Sequence, residues 1–106
     1  MENKIGLIIV KAKIRLRTAA EGGRSTPIKS GYRPNHILEK SDTEKLLKTH
    51  IGDIQFDDQE FIQPGETKIV TVRFLRVAAV EKHIHVGLKW LINEGSRTIA
   101  DGEIIE

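Results

Sequence analysis

The residues best equipped to do chemistry in this chain are cations carried on short, glycine-bearing turns. The stretch from Glu21 to Asn35 reads EGGRSTPIKSGYRPN and sets Arg24, Lys29 and Arg33 among three glycines and two prolines. A shorter echo, EGSRT, runs from Glu94 to Thr98, and Arg76 is a further guanidinium outside both stretches. Guanidinium groups donate without accepting, and the backbone N–H groups of a glycine turn can point the same way, so together they suit an oxyanion such as phosphate. A folded RNA duplex is contacted mainly at its phosphates and 2′-hydroxyls, and Arg24, Lys29, Arg33, Arg76 and Arg97 could serve it. The competing reading is that Arg24 and Arg33 brace the loop against carbonyls and acids. Composition leaves the two level.

Residues for catalysis, cofactor or metal binding are sparse. There is no cysteine, which excludes disulfides, thiolate chemistry and cysteine-based zinc sites. No GxxxxGK[ST] loop and no glycine run opening a helix is present, so nucleotide binding by that mechanism is not expected. GxSxG and HExxH motifs are absent as well. His83 and His85 would share one face of a strand, but no third ligand lies near them in sequence. They read as two solvent-facing histidines on an edge strand rather than a metal site. Asp57, Asp58 and Glu60 read as an acidic loop. The expectation is no enzyme, no cofactor and no metal. Only Tyr32, Phe56, Phe61, Phe74 and Trp90 are aromatic, and most of the last four fall on predicted core faces, too few for a single-strand stacking platform.

These side chains need a scaffold, and 106 residues allow one domain, 1–106, with one modest core. Formal charge is only +2 but uneven. Residues 1–40 hold nine Lys or Arg against three Asp or Glu, whereas residues 41–66 hold two against seven. The apolar patch Ile5 to Val10 is too short to span a bilayer and no small-residue cleavage site follows it, so a soluble cytoplasmic protein without membrane contact is expected.

The spacing predicts strands. From Val10 to Arg17, Val10, Ala12, Ile14 and Leu16 alternate with Lys11, Lys13, Arg15 and Arg17, which is a half-buried strand. Its four outward cations need acids or an anionic partner, and the acidic middle segment is the expected source. Gly22 to Gly31 reads as a long ordered loop, and Pro34 opens an extended run through Leu38. Ser41 with Glu44 resembles a capping box, suggesting a short helix or irregular excursion over Ser41 to His50. Further strands are expected over Ile51 to Phe56, Thr67 to Val77, Val86 to Ile92 with Val86, Leu88, Trp90 and Ile92 inward, and Arg97 to Ile105. Gln63-Pro64-Gly65-Glu66 predicts a type II turn. Six or so strands with turns between them argue an all-β barrel or sandwich.

The order EGGRSTP…YRPN, then PGE, then GLKWLINEGSRTIADG resembles the C-terminal domain of translation elongation factor Tu over about Lys11 to Ile104. That resemblance implies a six-stranded antiparallel Greek-key β-barrel. It also implies contact with the T stem and acceptor region of tRNA, or other structured RNA, and with protein partners of the translation machinery. By motif, Arg24 matches the arginine of the GGR turn, Arg76 falls near an RNA-contacting lysine, and Gly95 matches the glycine that approaches the phosphate backbone. Ser25 and Asn35 stand where the family has histidine and glutamine, and Arg33 belongs to the shared YRP motif. The segment Glu39 to His50 is longer than its counterpart. The alternative expectation is a protein-interaction module, self-associating or docking on translation machinery, with an exposed patch near Leu46 and Leu47.

Overall fold

The computed structural model describes residues 6–39 and 49–106. Its strands, numbered in chain order, are β1 (Leu7–Leu16), β2 (Ile28–Lys29), β3 (Asn35–Ile37), β4 (His50–Gln55), β5 (Phe61–Ile62), β6 (Thr67–Leu75), β7 (Lys89–Glu94) and β8 (Arg97–Ile104), with one helical turn, α1 (Ala78–Glu81). Six of the strands close a barrel in the order β1-β6-β4-β3-β7-β8, and β2 pairs with β5 beside it. Every pairing is antiparallel. The strands β3, β4 and β6 are successive neighbours and β1 returns beside β6, which is Greek-key connectivity. The barrel, rather than the sandwich, is therefore the architecture.

Strand β1 shows why the sequence closes this way. Ile8, Val10, Ala12, Ile14 and Leu16 all point inward and are buried. Both edges of the strand are used: Leu7 to Arg15 pair with Leu75 to Thr67, and Ala12 to Leu16 pair with Ile104 to Ala100. From the other strands Ile54, Val72, Phe74, Ile92 and Ile99 complete an apolar interior. Gly102 lies against the Trp90 indole, where an added Cβ would stand 2.8 Å from the ring. A polar pair sits in this core. The Trp90 Nε1–H donates to His36 Nδ1 at 2.9 Å, and His36 Nε2–H donates to the Gly52 carbonyl at 2.9 Å.

The cations of β1 are neutralised, but not by the acidic middle segment. Lys11 pairs with Glu106 at 3.6 Å, Lys13 with Glu103 at 3.8 Å, and Arg15 with Glu21 at 3.1 Å. Arg17 grips Asp101 with two hydrogen bonds of 2.8 Å. Barrel closure makes β8 the neighbour of β1, so acids at the end of the chain are the near ones for Lys11, Lys13 and Arg17, while Glu21 of the following 3-10 turn folds back on Arg15. Of the middle segment, Asp53 instead binds Arg73 and Glu60 binds Lys68, both cations on β6.

Other expectations shift by a few residues. The type II turn is present, with Gly65 at φ +91° and the Glu66 N–H on the Gln63 carbonyl at 2.9 Å. The predicted strand Thr67 to Val77 stops at Leu75, and Val77 precedes α1. Val86 is 67% exposed rather than inward, because a turn carries the chain outside the barrel until β7 begins at Lys89. His83 and His85 lie in that same excursion and on no strand. The loop predicted over Gly22 to Gly31 contains the short strand β2. The excursion expected over Ser41 to His50, with Leu46 and Leu47, falls outside the described residues up to position 48. His50 itself opens β4.

Candidate functional site

The end of the barrel where β1 finishes is built by two glycine turns. Beyond Leu16, Thr18 caps a 3-10 turn, Ala19–Glu21: its hydroxyl accepts from the Glu21 N–H at 3.3 Å, and Glu21 Oε1 accepts from the Thr18 N–H at 2.9 Å. Gly22 then takes φ +87°. Gly23 packs so tightly against the preceding strand that a Cβ would lie 2.4 Å from the Arg17 carbonyl oxygen. The chain is thereby thrown across the barrel end and Arg24 is aimed at the β7–β8 hairpin. That hairpin turns through Gly95 and Ser96, with Gly95 at φ +60°, the left-handed conformation a two-residue loop needs at its first position. The Thr98 hydroxyl donates to Asn93 Oδ1 at 2.8 Å and closes its base.

One carboxylate joins the two turns. Glu94 Oε2 accepts from Arg24 Nη1 and from the Tyr32 hydroxyl, and Arg97 Nη2 reaches Glu94 Oε1 at 3.5 Å. The rest of the Arg24 guanidinium is held locally. Its Nε donates to the Thr26 carbonyl at 3.1 Å, and Nη2 donates to Thr26 Oγ1 at 2.9 Å and to the Pro27 carbonyl at 3.2 Å. The Tyr32 ring lies beneath it, 5.4 Å from centroid to guanidinium carbon. Between residues 22–26 and the Glu94–Arg97 turn runs an open groove of about 340 Å³.

The structure brings most of the sequence-predicted residues to this end. Arg24 and Ser25 line the groove, and Gly95 lies on the hairpin that forms its other wall. Asn35 pairs with Asn93 across β3 and β7, near the base of that hairpin, and Arg33 lies two residues before it on the chain leading into β3. Arg33 is exposed and has no hydrogen bond or ion pair with the described residues. Arg97 is also open, with 59% of its side chain exposed. Arg76 is elsewhere. Its backbone N–H bonds Gly6, its Nη2 donates to the Leu7 carbonyl at 3.2 Å and its Nη1 to Glu81 at 2.6 Å, which places it at the opposite end of β1. Strand β1 has ten residues, about 30 Å at ordinary strand rise.

Sequence reasoning missed Glu94. It marked the residue only as the head of a turn, although a carboxylate opening an EGSRT turn and a tyrosine in the arginine loop were both visible. Arg24 meets the bracing reading in its contacts: carbonyls, a hydroxyl and an acid. At the far end, Glu39 lies between His50 Nε2 at 3.1 Å and His83 Nε2 at 3.8 Å. No three metal-ligating side chains among the described residues gather closely enough to hold an ion. Among those residues no helix is long and apolar enough to cross a membrane. Compared with known families, residues 8–106 match the one described as Elongation factor Tu C-terminal domain.

Proposed function

Because this chain belongs to the elongation factor Tu C-terminal domain family and is a translation-factor-related β-barrel, we propose that it is a non-enzymatic module that binds folded RNA, with tRNA as the model ligand, at the barrel end formed by the two glycine turns. Arg33 and Arg97 contact phosphates there, helped by the Gly95 turn, the Ser25 hydroxyl and Asn35. Arg24 holds the loop in shape. The observation that carries this reading is the open groove between the two glycine turns, walled by Arg97 with its side chain 59% exposed, together with the exposed Arg33 on the chain leading into β3. Such contacts position an RNA without reading its bases. Their setting is the cytoplasm, with the translation machinery as the source of partners.

Binding through two cations is weak and salt-dependent, with log affinity falling against log salt at a slope of about −2. The test is a titration of tRNA at two salt concentrations with the wild type, Arg33→Ala and Arg97→Ala. Each variant is expected to weaken binding and flatten the slope by about one. No saturable binding by the wild type at low salt overturns the proposal.

A second reading, docking on a protein of the translation machinery, is favoured by the barrel wall. Ile9, Ile51 and Leu75 are each about half exposed around the Asp53–Arg73 ion pair. A pulldown that returns proteins alone after nuclease treatment decides for it.

A further inference from the structure

Strand β3 is the thinnest part of the barrel wall. It has three residues, where β1 has ten and β6 nine. On one side Asn35 and His36 pair with Ile51 and His50; on the other Asn35, His36 and Ile37 pair with Asn93, Ile92 and Leu91. A ladder this short holds weakly, and local opening is drawn from such places. One buried ring fastens the strand on both sides. His36 donates from Nε2 to the Gly52 carbonyl in β4 and accepts at Nδ1 from the Trp90 indole in β7, each at 2.9 Å. A proton added at Nδ1 sets a donor against the Trp90 N–H and puts a cation in the core. The charged groups around the ring do not relieve it. His50, in register with His36 on β4, opposes a second positive charge, and Asp53 is engaged by Arg73 and Gln55.

The strand is pinned beyond each end. Before it, the Ile54 N–H donates to the Tyr32 carbonyl at 2.9 Å and the Gly31 N–H to the Ile54 carbonyl at 2.7 Å. After it, the Glu39 carboxylate accepts from His50 Nε2 at 3.1 Å and lies 3.8 Å from His83 Nε2. Burial opposes the Glu39 charge, but the hydrogen bond from His50 and the charges of His50 and His83 outweigh it and hold its pKa below the ordinary value. That outer clasp therefore stays ionised at pH 5. We propose that residues 33–38 form an acid-operated seam: uptake of one proton by His36 releases β3 from β4 and β7 between its two pins, while the other five strands of the barrel stay paired. Opening uncovers Trp90 and Ile92, which the closed barrel buries. The inference goes beyond the RNA reading and does not rest on it. The open seam takes up the proton near pH 6.5, the closed one only at about 4. The closed state is favoured fully above pH 6.5, and the open population rises roughly 30-fold between pH 7.5 and 5.

The experiment is native-state hydrogen exchange on the full chain at pH 7.5 and 5, across low urea concentrations, with each rate divided by the intrinsic rate at that pH. Trp90 is the only tryptophan, so its indole N–H reports the His36 contact directly, beside the amides of His36 and Ile37. Their protection is expected to fall roughly 30-fold on acidification and to respond weakly to urea. Ile14 and Val72, flanked by paired strands on both sides, are expected to exchange only with the whole barrel. They should be at least about tenfold better protected than the seam at both pH values, with the full urea response. Equal protection and equal urea response at the seam and at Ile14 mean that β3 leaves only with the barrel, and overturn the proposal. Seam protection that is the same at both pH values overturns it too. His36→Asn is expected to remove the pH dependence at the seam, and Glu39→Gln to leave it. The reverse pattern assigns the proton to the outer clasp and rejects His36. If His36→Asn does not fold, the two wild-type comparisons decide.

Discussion

At the scale of single residues, His36 is the group whose chemistry the fold changes most. It is fully buried, edge-on to Phe74 at 4.9 Å, with one ring nitrogen accepting from Trp90 and the other donating to Gly52. Both nitrogens are used by the neutral ring, and burial pushes its pKa down to about 4. In the unfolded chain the imidazole titrates near 6.5. Stability from this depressed pKa is therefore complete above about pH 6.5 and is lost as the pH falls toward 4, because the unfolded state takes up a proton that the barrel refuses. Between pH 7.5 and 5 the unfolding free energy is expected to drop by about 2 kcal/mol from this residue. Urea unfolding at the two pH values checks it: His36→Asn is expected to be less stable at pH 7.5 but to lose that much less of its stability on acidification. Nothing in the spacing of the sequence marked His36, since its neighbours Asn35 and Ile37 would read the same around an exposed histidine. The partners that neutralise it, Gly52 and Trp90, arrive from 16 and 54 positions away.

At the scale of elements, the turn Gly22-Gly23 separates two reasons for glycine. Gly22 has φ +87° with open space around its Cα, so an added methyl meets only backbone strain. Gly23 has ordinary φ, but its added Cβ meets the Arg17 carbonyl at 2.4 Å. Gly22→Ala is expected to cost about 1 kcal/mol. Gly23→Ala, which must push the loop off β1, is expected to cost about 3 kcal/mol or more and to misplace Arg24. Denaturant midpoints of the two variants check the order, and equal losses would mean that the loop has room to move. The strands themselves were legible. Period-two alternation in β1, the β-branched run of β6 and the Pro64-Gly65 turn are local signals, and the local backbone obeys them. The one-turn α1 and the exposed Val86 were not, because four residues are too few to show a helical period.

For the whole molecule, the order of strands around the barrel decides which charges meet. It brings β8 beside β1, so Asp101 and Glu103 neutralise Arg17 and Lys13, while Arg97 at the glycine-turn end stays 59% exposed beside Glu94 and Arg33 is exposed. It also sends Arg76 to the far end, into a pair with Glu81. An RNA held at the glycine-turn end should not feel Arg76, so Arg76→Ala is expected to change tRNA affinity by less than about twofold, while Arg97→Ala weakens it. A loss with Arg76→Ala as large as with Arg97→Ala would mean that the ligand spans the barrel. The sequence by itself determined the strand faces, the turns and the family, because alternation, glycine placement and motif order are written in neighbouring residues. Only the tertiary structure decided that Arg24 is tied to Glu94, that Arg76 stands apart and that Lys13 and Arg17 find their acids on β8. Those are contacts between residues distant in sequence, set by how the sheet closes.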